Sequence, residues 1–427
     1  MINAAACTIG RLSSGFLASP QVAHPDRRES QKCIGQFLWP RYYVVGPRKY
    51  GSRSAEKDSK VTSIRLSALF LILAIAACAR APELVGIDNP QVPTRSIVEA
   101  TKHKVFIVTT REDTEVVGAL FSELRADELG LASVEVSVPP THMPGELERP
   151  KSLPPDPRTE FAVIDPAIYG SESAFLSSLN SELRSRPATQ RELLLFVHGY
   201  NMTTSDAILQ VGQFVEDSGF EGVPVLFAWA SAGRLSRYVY DLNSALVARP
   251  LLIDASEILT QSIATEYHVF AHSMGGFLMM EAIVDVAQKG QFNRTGRLKN
   301  VVLASPDIDI DLFRSQMGEI DSSFDRFFVL LSKDDTALRT SRRIAGGVPR
   351  VGASDAAELS ALGVTAIDLS QVDDSRTGSH SKFSGSPDVV QLIGRGLNDA
   401  PGYGSRRQTA LEQVIGDLPV RVVTASN

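Results

Sequence analysis

The feature that most restricts the fold is a rhythm in the second half of the chain. Short, mostly apolar runs (Glu192–Val197, Pro224–Trp229, Tyr267–Phe270, Asn300–Ala304, Phe327–Leu331 and Val364–Asp368), the first of them nearly continuous, alternate with segments long enough for helices. A strand that is apolar at every position, rather than at every second one, has to bury both faces. Spacers of helical length between such strands suit parallel pairing, because each connection must cross back over the sheet. The pattern predicts an α/β chain with a mainly parallel central sheet and helices on both faces.

One of these runs leads into Phe270-Ala271-His272-Ser273-Met274-Gly275-Gly276, followed by a helix-length apolar stretch. A serine between a strand and a helix, flanked by small residues, is the pattern of a nucleophile elbow. So tight a turn needs nearly side-chain-free positions two before and two after the serine, and these are Ala271 and Gly275. The hydroxyl then stands at the C-terminal edge of the sheet, beside the free N–H groups of a helix start.

A serine that transfers acyl groups needs a base, an acid to orient it and donors for the oxyanion. In the order that accompanies this elbow, acid and histidine both follow the serine. Of the seven histidines only His380 lies beyond Ser273, in the small polar loop Thr377–Ser381. Asp334 and Asp335 both follow the Phe327–Leu331 run, where the acid belongs. Asp335 is preferred, because Ser332-Lys333-Asp334 can form the turn and Thr336 can start the helix. Asp307 and Asp309, after the preceding run, suit helix capping and loop polarity better than catalysis. The expected oxyanion donors are the backbone N–H groups of Met274 and Tyr200. His198 reads as a structural hydrogen-bonding residue and His272 as an elbow support pointing away from the site. Trp229 suits an acyl pocket or the core equally, and Asp241 receives no role.

Together, Val197-His198-Gly199-Tyr200-Asn201, Phe227–Gly233, Ala271–Gly275, Pro306–Asp309 and Ser332–Leu338 carry a family resemblance. From about Lys104 to Asn398 the chain resembles an uncharacterised bacterial branch of the α/β-hydrolase superfamily, the domain of unknown function 900 type. The resemblance implies the α/β-hydrolase fold, a Ser273–Asp335–His380 triad and esterase- or lipase-like activity. Ala230 stands where that branch has proline and Ala271 where glycine is common; neither change removes a catalytic group.

Composition narrows the rest. With 43% hydrophobic and 22% charged residues the chain can build a substantial core, and its net charge of −6 argues against a nucleic-acid surface. The only cysteines, Cys7, Cys33 and Cys78, precede the rhythmic part, so neither a disulfide framework nor a Cys/His metal cluster is expected there. No metal and no cofactor are expected. Residues 1–60 show no sustained period and are expected to be a disordered extension or one lying ahead of the true start, with Val61 as the initiator. Residues 61–78 have the positive flank and apolar core of a signal peptide. Its end, Ile75-Ala76-Ala77-Cys78, resembles a bacterial lipobox, which implies a lipid on Cys78.

Residues 79–101 read as a tether, 102–400 as the hydrolase domain and 401–427 as a C-terminal tail. Within the domain, Val105–Thr110, Val134–Val138 and Phe161–Ile164 read as strands, and Asp113–Gly130 and Ser171–Arg186 as helices. Ser236–Ala248 and Leu251–Ser262 read as two further helical stretches. The expected protein is a lipid-anchored, extracytoplasmic serine hydrolase acting on small-molecule or lipid esters. The rival is a non-catalytic envelope lipoprotein that uses the fold as an interaction platform; a thioesterase, amidase or acyltransferase shares the same acyl-enzyme step.

Overall fold

The computed structural model describes residues 80–374, 378–398 and 419–424. The signal-like segment, Cys78 and the extension before them lie outside the described residues. The apolar runs assemble into a ten-stranded sheet. Its strands are β1 (Thr101–Asp113), β2 (Phe121–Val138), β3 (Ala162–Ile168), β4 (Glu192–Val197), β5 (Val223–Ala228), β6 (Glu266–His272), β7 (Leu298–Ala304), β8 (Phe327–Leu331), β9 (Thr365–Asp368) and β10 (Arg421–Val423). The spatial order is β10-β9-β8-β7-β6-β4-β5-β1-β2-β3. Pairing is parallel from β1 through β5, β4, β6, β7 and β8 to β9. β2 and β3 extend one end antiparallel, and β10 closes the other. Residues 421–423, from the segment read as a tail, thus form an edge strand.

The helices are α1 (Glu172–Arg184), α2 (Thr204–Ser218), α3 (Tyr238–Thr260), α4 (Met274–Gln288), α5 (Ile310–Met317), α6 (Thr336–Ile344), α7 (Ala356–Ser360), α8 (Lys382–Gly385) and α9 (Pro387–Asn398). β4 and β5 are buried along their whole length, as continuous apolar strands require. Alternate residues serve opposite faces. Leu195 and Val225 join a core with Phe175 of α1, Ala245 of α3 and Met280 of α4. Phe196 and Leu226 join the other, with Phe214 of α2 and Val389 of α9. No helix among the described residues is long and apolar enough to cross a membrane.

Three segments differ from the sequence reading. Asp113–Gly130 is not a helix but a turn and the first half of β2, with Arg111 opposite Arg125 and Thr109 opposite Gly130. Its Glu, Leu, Arg and Ala residues favour helix locally. Pairing with the long β1 strand overrides that preference and buries Phe121, Leu131 and Ala132. The two stretches on either side of Pro250 are one continuous helix, α3, with the proline inside it. The segment read as a tether packs down from its beginning. Leu84 is fully buried, and its N–H donates to Ser205 Oγ at 3.1 Å. Arg80 reaches Asp206 at 2.6 Å.

The Pro-rich loop 139–157 is fastened through His142. Its two ring nitrogens meet Glu148 at 2.7 Å and Asp217, at the end of α2, at 2.8 Å. Burial alone would lower the His142 pKa, but the two carboxylates outweigh it and raise it to about 9. A folded value above the unfolded 6.5 stabilises the protein fully below pH 6.5, and the gain is lost as pH rises through about 9. The loss should be on the order of 3 kcal/mol. Denaturant midpoints measured from pH 6 to pH 9.5 should fall in the wild type and stay flatter in His142→Gln. Equal slopes in both proteins would mean that this pair contributes nothing.

Candidate active site

Ser273 lies between the last residue of β6 and the first of α4. Its backbone is at φ 55°, ψ −120°, a region that L-residues avoid and that persists only where the surroundings hold it. Three contacts do so. The Ser273 N–H donates to Ala304 O at the end of β7 at 2.9 Å, and its carbonyl accepts from Asp307 N–H at 3.1 Å. On the far side, the turn presses against the end of β4, where a Cβ on Gly275 would stand 2.4 Å from His198 O. Only glycine lets helix and strand approach that closely.

His380 stands on the loop between β9 and α8. Its Nε2 is 3.0 Å from Ser273 Oγ and its Nδ1 is 2.7 Å from Asp335 Oδ2. Asp335 is fully buried at the N-cap of α6, where its other oxygen accepts from Leu338 N–H at 2.8 Å. One carboxylate therefore starts a helix and faces the histidine. Neighbouring Asp334 points elsewhere. It accepts hydrogen bonds from Ser332 Oγ, from Ser379 Oγ at 2.7 Å and from the Lys382 ammonium at 3.0 Å. Lys382 is 2% exposed and also donates to Leu369 O at 2.9 Å. Burial raises the Asp334 pKa, but the Ser332, Ser379 and Lys382 hydrogen bonds carry it below the usual value. The two aspartates divide the work: Asp335 faces the His380 ring, while Asp334 fastens the residues on either side of His380. The Thr336 N–H adds a bond to Gly378 O at 3.1 Å.

His272 does not point away from this group. Its ring lies 4.9 Å from that of His380, centroid to centroid, and its Nε2 is 3.3 Å from the His380 backbone oxygen. Nδ1 is buried without a hydrogen-bond partner among the described residues. Burial, then the nearby His380, drives the His272 pKa well below the usual value, so the ring is neutral and Nε2–H donates to that carbonyl.

The turn after β4 flanks Ser273, since a Cβ on Gly199 would lie 3.1 Å from Ser273 Cβ. Met274, as the first residue of α4, lacks an intrahelical acceptor for its N–H. Among the described residues neither the Tyr200 nor the Met274 N–H has an acceptor. His198 is buried and stacked on Trp229, with its ring nitrogens facing Gly199 O and Trp229 O. Burial, with Arg111 nearby, pushes its pKa down to about 3. Trp229 is a core residue, fully buried, and its indole N–H donates to His198 O at 2.7 Å.

Asp241, given no role by sequence, organises this side. Its carboxylate accepts from Ser231 Oγ at 2.5 Å, Ala232 N–H at 2.8 Å and Asn201 N–H at 3.2 Å. Buried Arg111 caps Met202 O at 2.9 Å and Ser231 O at 3.1 Å. Burial holds the Asp241 carboxyl above its usual pKa. The turn carrying Tyr200 is thus tied to a polar group inside the protein. Its one advance signal was a carboxylate in the first turn of a mostly apolar helix. Asp309 caps α5, accepting from Asp311 N–H at 2.9 Å, as expected. Asp307 is buried against Tyr238, Ser341 and Arg350.

At the opposite edge of the sheet, Glu192, Glu266 and His268 bring their ligand atoms within 4.8 Å of one another. His268 already bonds Glu192 at 3.0 Å and Lys299 bonds Glu266 at 2.7 Å, so the group reads as an ion-pair network.

A mainly parallel sheet sandwiched by helices, with a strained serine at the turn from β6 to α4, defines an α/β hydrolase. The model of a family described as an alpha/beta hydrolase of unknown function (DUF900) matches residues 171–396. The chain belongs to that family. It is also similar to a solved lipase-esterase related protein from Clostridium acetobutylicum ATCC 824, at 16% identity and a TM-score of 0.20. That match covers 39% of this chain and 63% of the other, less than two thirds of its length. No curated protein matches the chain.

Proposed function

We propose that the protein is a serine hydrolase of carboxylic esters. The observation that carries this reading is His380, placed 3.0 Å from Ser273 Oγ and 2.7 Å from Asp335. In this reading Ser273 Oγ attacks the ester carbonyl while His380 Nε2 takes its proton. Asp335 accepts from Nδ1–H, which fixes the tautomer and stabilises the imidazolium. The N–H groups of Tyr200 and Met274 receive the oxyanion of the tetrahedral intermediate. His380 then returns its proton to the leaving alcohol, and water repeats the sequence on the acyl-enzyme. We further propose that a lipid on Cys78 holds the chain on the extracytoplasmic side of a membrane, near lipid or small-molecule esters.

A fluorophosphonate probe on the full-length protein tests the nucleophile. Wild type should label within minutes, and Ser273→Ala and His380→Ala should not. Folded wild-type protein that stays unlabelled would favour the non-catalytic platform. In the same cells, Cys78→Ser should move the protein from the membrane to the soluble fraction. A protein equally membrane-bound after that change has no anchor at Cys78.

A further inference from the structure

A cavity of about 510 Å³ lies far from Ser273, over the starts of β4 and β6 and between α3 and α4. Leu195, Val269, Leu252, Met279, Ile283 and Phe292 give it an apolar interior. Its α3 wall runs from Leu252 to Thr260, all beyond Pro250, and its α4 wall from Met279 to Val286. A proline in a helix interior removes one backbone hydrogen bond, and the cavity wall begins two residues beyond it, at Leu252. The volume falls within the range of small-molecule sites.

The mouth is different in character. Arg294 is exposed there, and among the described residues its guanidinium has no carboxylate partner. Close by, Arg297 packs over Tyr267, a wall residue, at 4.8 Å. It donates to backbone oxygens, among them Ala264 O at 2.9 Å, and not to a carboxylate. Glu257 is the acidic residue of the wall and Arg294 the basic one; Arg297 lies outside the lining, with its guanidinium taken up by backbone oxygens. An apolar interior with an exposed guanidinium that has no carboxylate partner among the described residues matches a molecule with a long hydrocarbon tail and an anionic head.

We propose that this cavity binds a long-chain monocarboxylate, with the tail between α3 and α4 and the head on Arg294. The site is separate from Ser273: Tyr267 lies about 20 Å away along β6, so a head at this mouth is not the acyl group under attack. The inference therefore stands or falls independently of hydrolysis. Each methylene buried should raise affinity roughly fourfold.

The test is calorimetric titration of the full-length protein with decanoate, dodecanoate and tetradecanoate below their micelle concentrations, repeated with dodecanol. Ser273→Ala serves as the parent, so that no turnover intrudes. Saturable binding at one site is expected, tightening about fourfold per methylene. Ala282→Phe and Ser256→Phe fill the cavity from opposite helices and should each weaken binding more than tenfold. The second stands in if the first fails to fold. Arg294→Glu should weaken dodecanoate at least fivefold and leave dodecanol unchanged. Absence of saturable binding to folded parent overturns the proposal, as does unchanged affinity in both filled variants. Loss of binding after fluorophosphonate modification of wild type would place the carboxylate at Ser273 and overturn it too. An equal loss of dodecanol and dodecanoate in Arg294→Glu would overturn the assignment of the head.

Discussion

Ser273→Ala is expected to lower kcat on an activated ester by about 10⁴- to 10⁶-fold while the protein stays folded and equally stable. The rate falls because no other described group can take the place of Oγ at 3.0 Å from His380 Nε2. Stability should hold because the strain at φ 55° belongs to the backbone, which alanine shares with serine. Ser273→Gly separates the two effects. Glycine adopts this conformation without the Cβ penalty, so that variant should be as inactive as alanine yet more stable, by about 1 kcal/mol. Steady-state kinetics with p-nitrophenyl esters and denaturant melts of the three proteins provide the check. Retention of more than a tenth of the wild-type rate by Ser273→Ala would remove Ser273 from the chemistry.

Sequence could reach these residues because the strongest constraints are local or ordinal. The elbow lies within a few consecutive residues, where tight curvature restricts residue type. A parallel sheet forces its chemistry to the loops after the strands, and His380 is the only histidine beyond Ser273. The β1–β2 hairpin was illegible for the opposite reason. Residues 113–130 favour helix taken alone, and only pairing with β1 gives them strand geometry. Asp241 and Lys382 were missed because their meaning depends on distant partners: Arg111 with Met202 and Ser231, Lys382 with Asp334 and Leu369. The Asp334–Asp335 pair sits between these cases. Its place after β8 was readable, and the turn and helix start already favoured Asp335; the task of Asp334 was not readable, because its partners Ser379 and Lys382 lie far along the chain.

The division of work between Asp334 and Asp335 gives the second large effect. Asp335→Asn should lower kcat by about 10⁴-fold with little change in KM, since an amide keeps the size but offers the His380 ring the wrong hydrogen-bonding partner. Stability should change little, because asparagine is as good an N-cap as aspartate and can still accept from Leu338 N–H. Asp334→Asn should behave in the reverse manner. It leaves the His380–Asp335 contact intact but removes the charge that pairs with the Lys382 ammonium, a group that is 2% exposed. Asp334 is itself half exposed, so water can partly replace it, and a loss of about 1–3 kcal/mol of stability with at most a tenfold loss of rate is expected. Kinetics and melting curves measured on both variants give a crossed pattern that neither a general loosening of the loop nor a general loss of charge reproduces. If Asp334→Asn proves the more damaging to kcat, the acid assignment moves to Asp334, and the contact of Asp335 with His380 becomes a helix cap that happens to face a histidine.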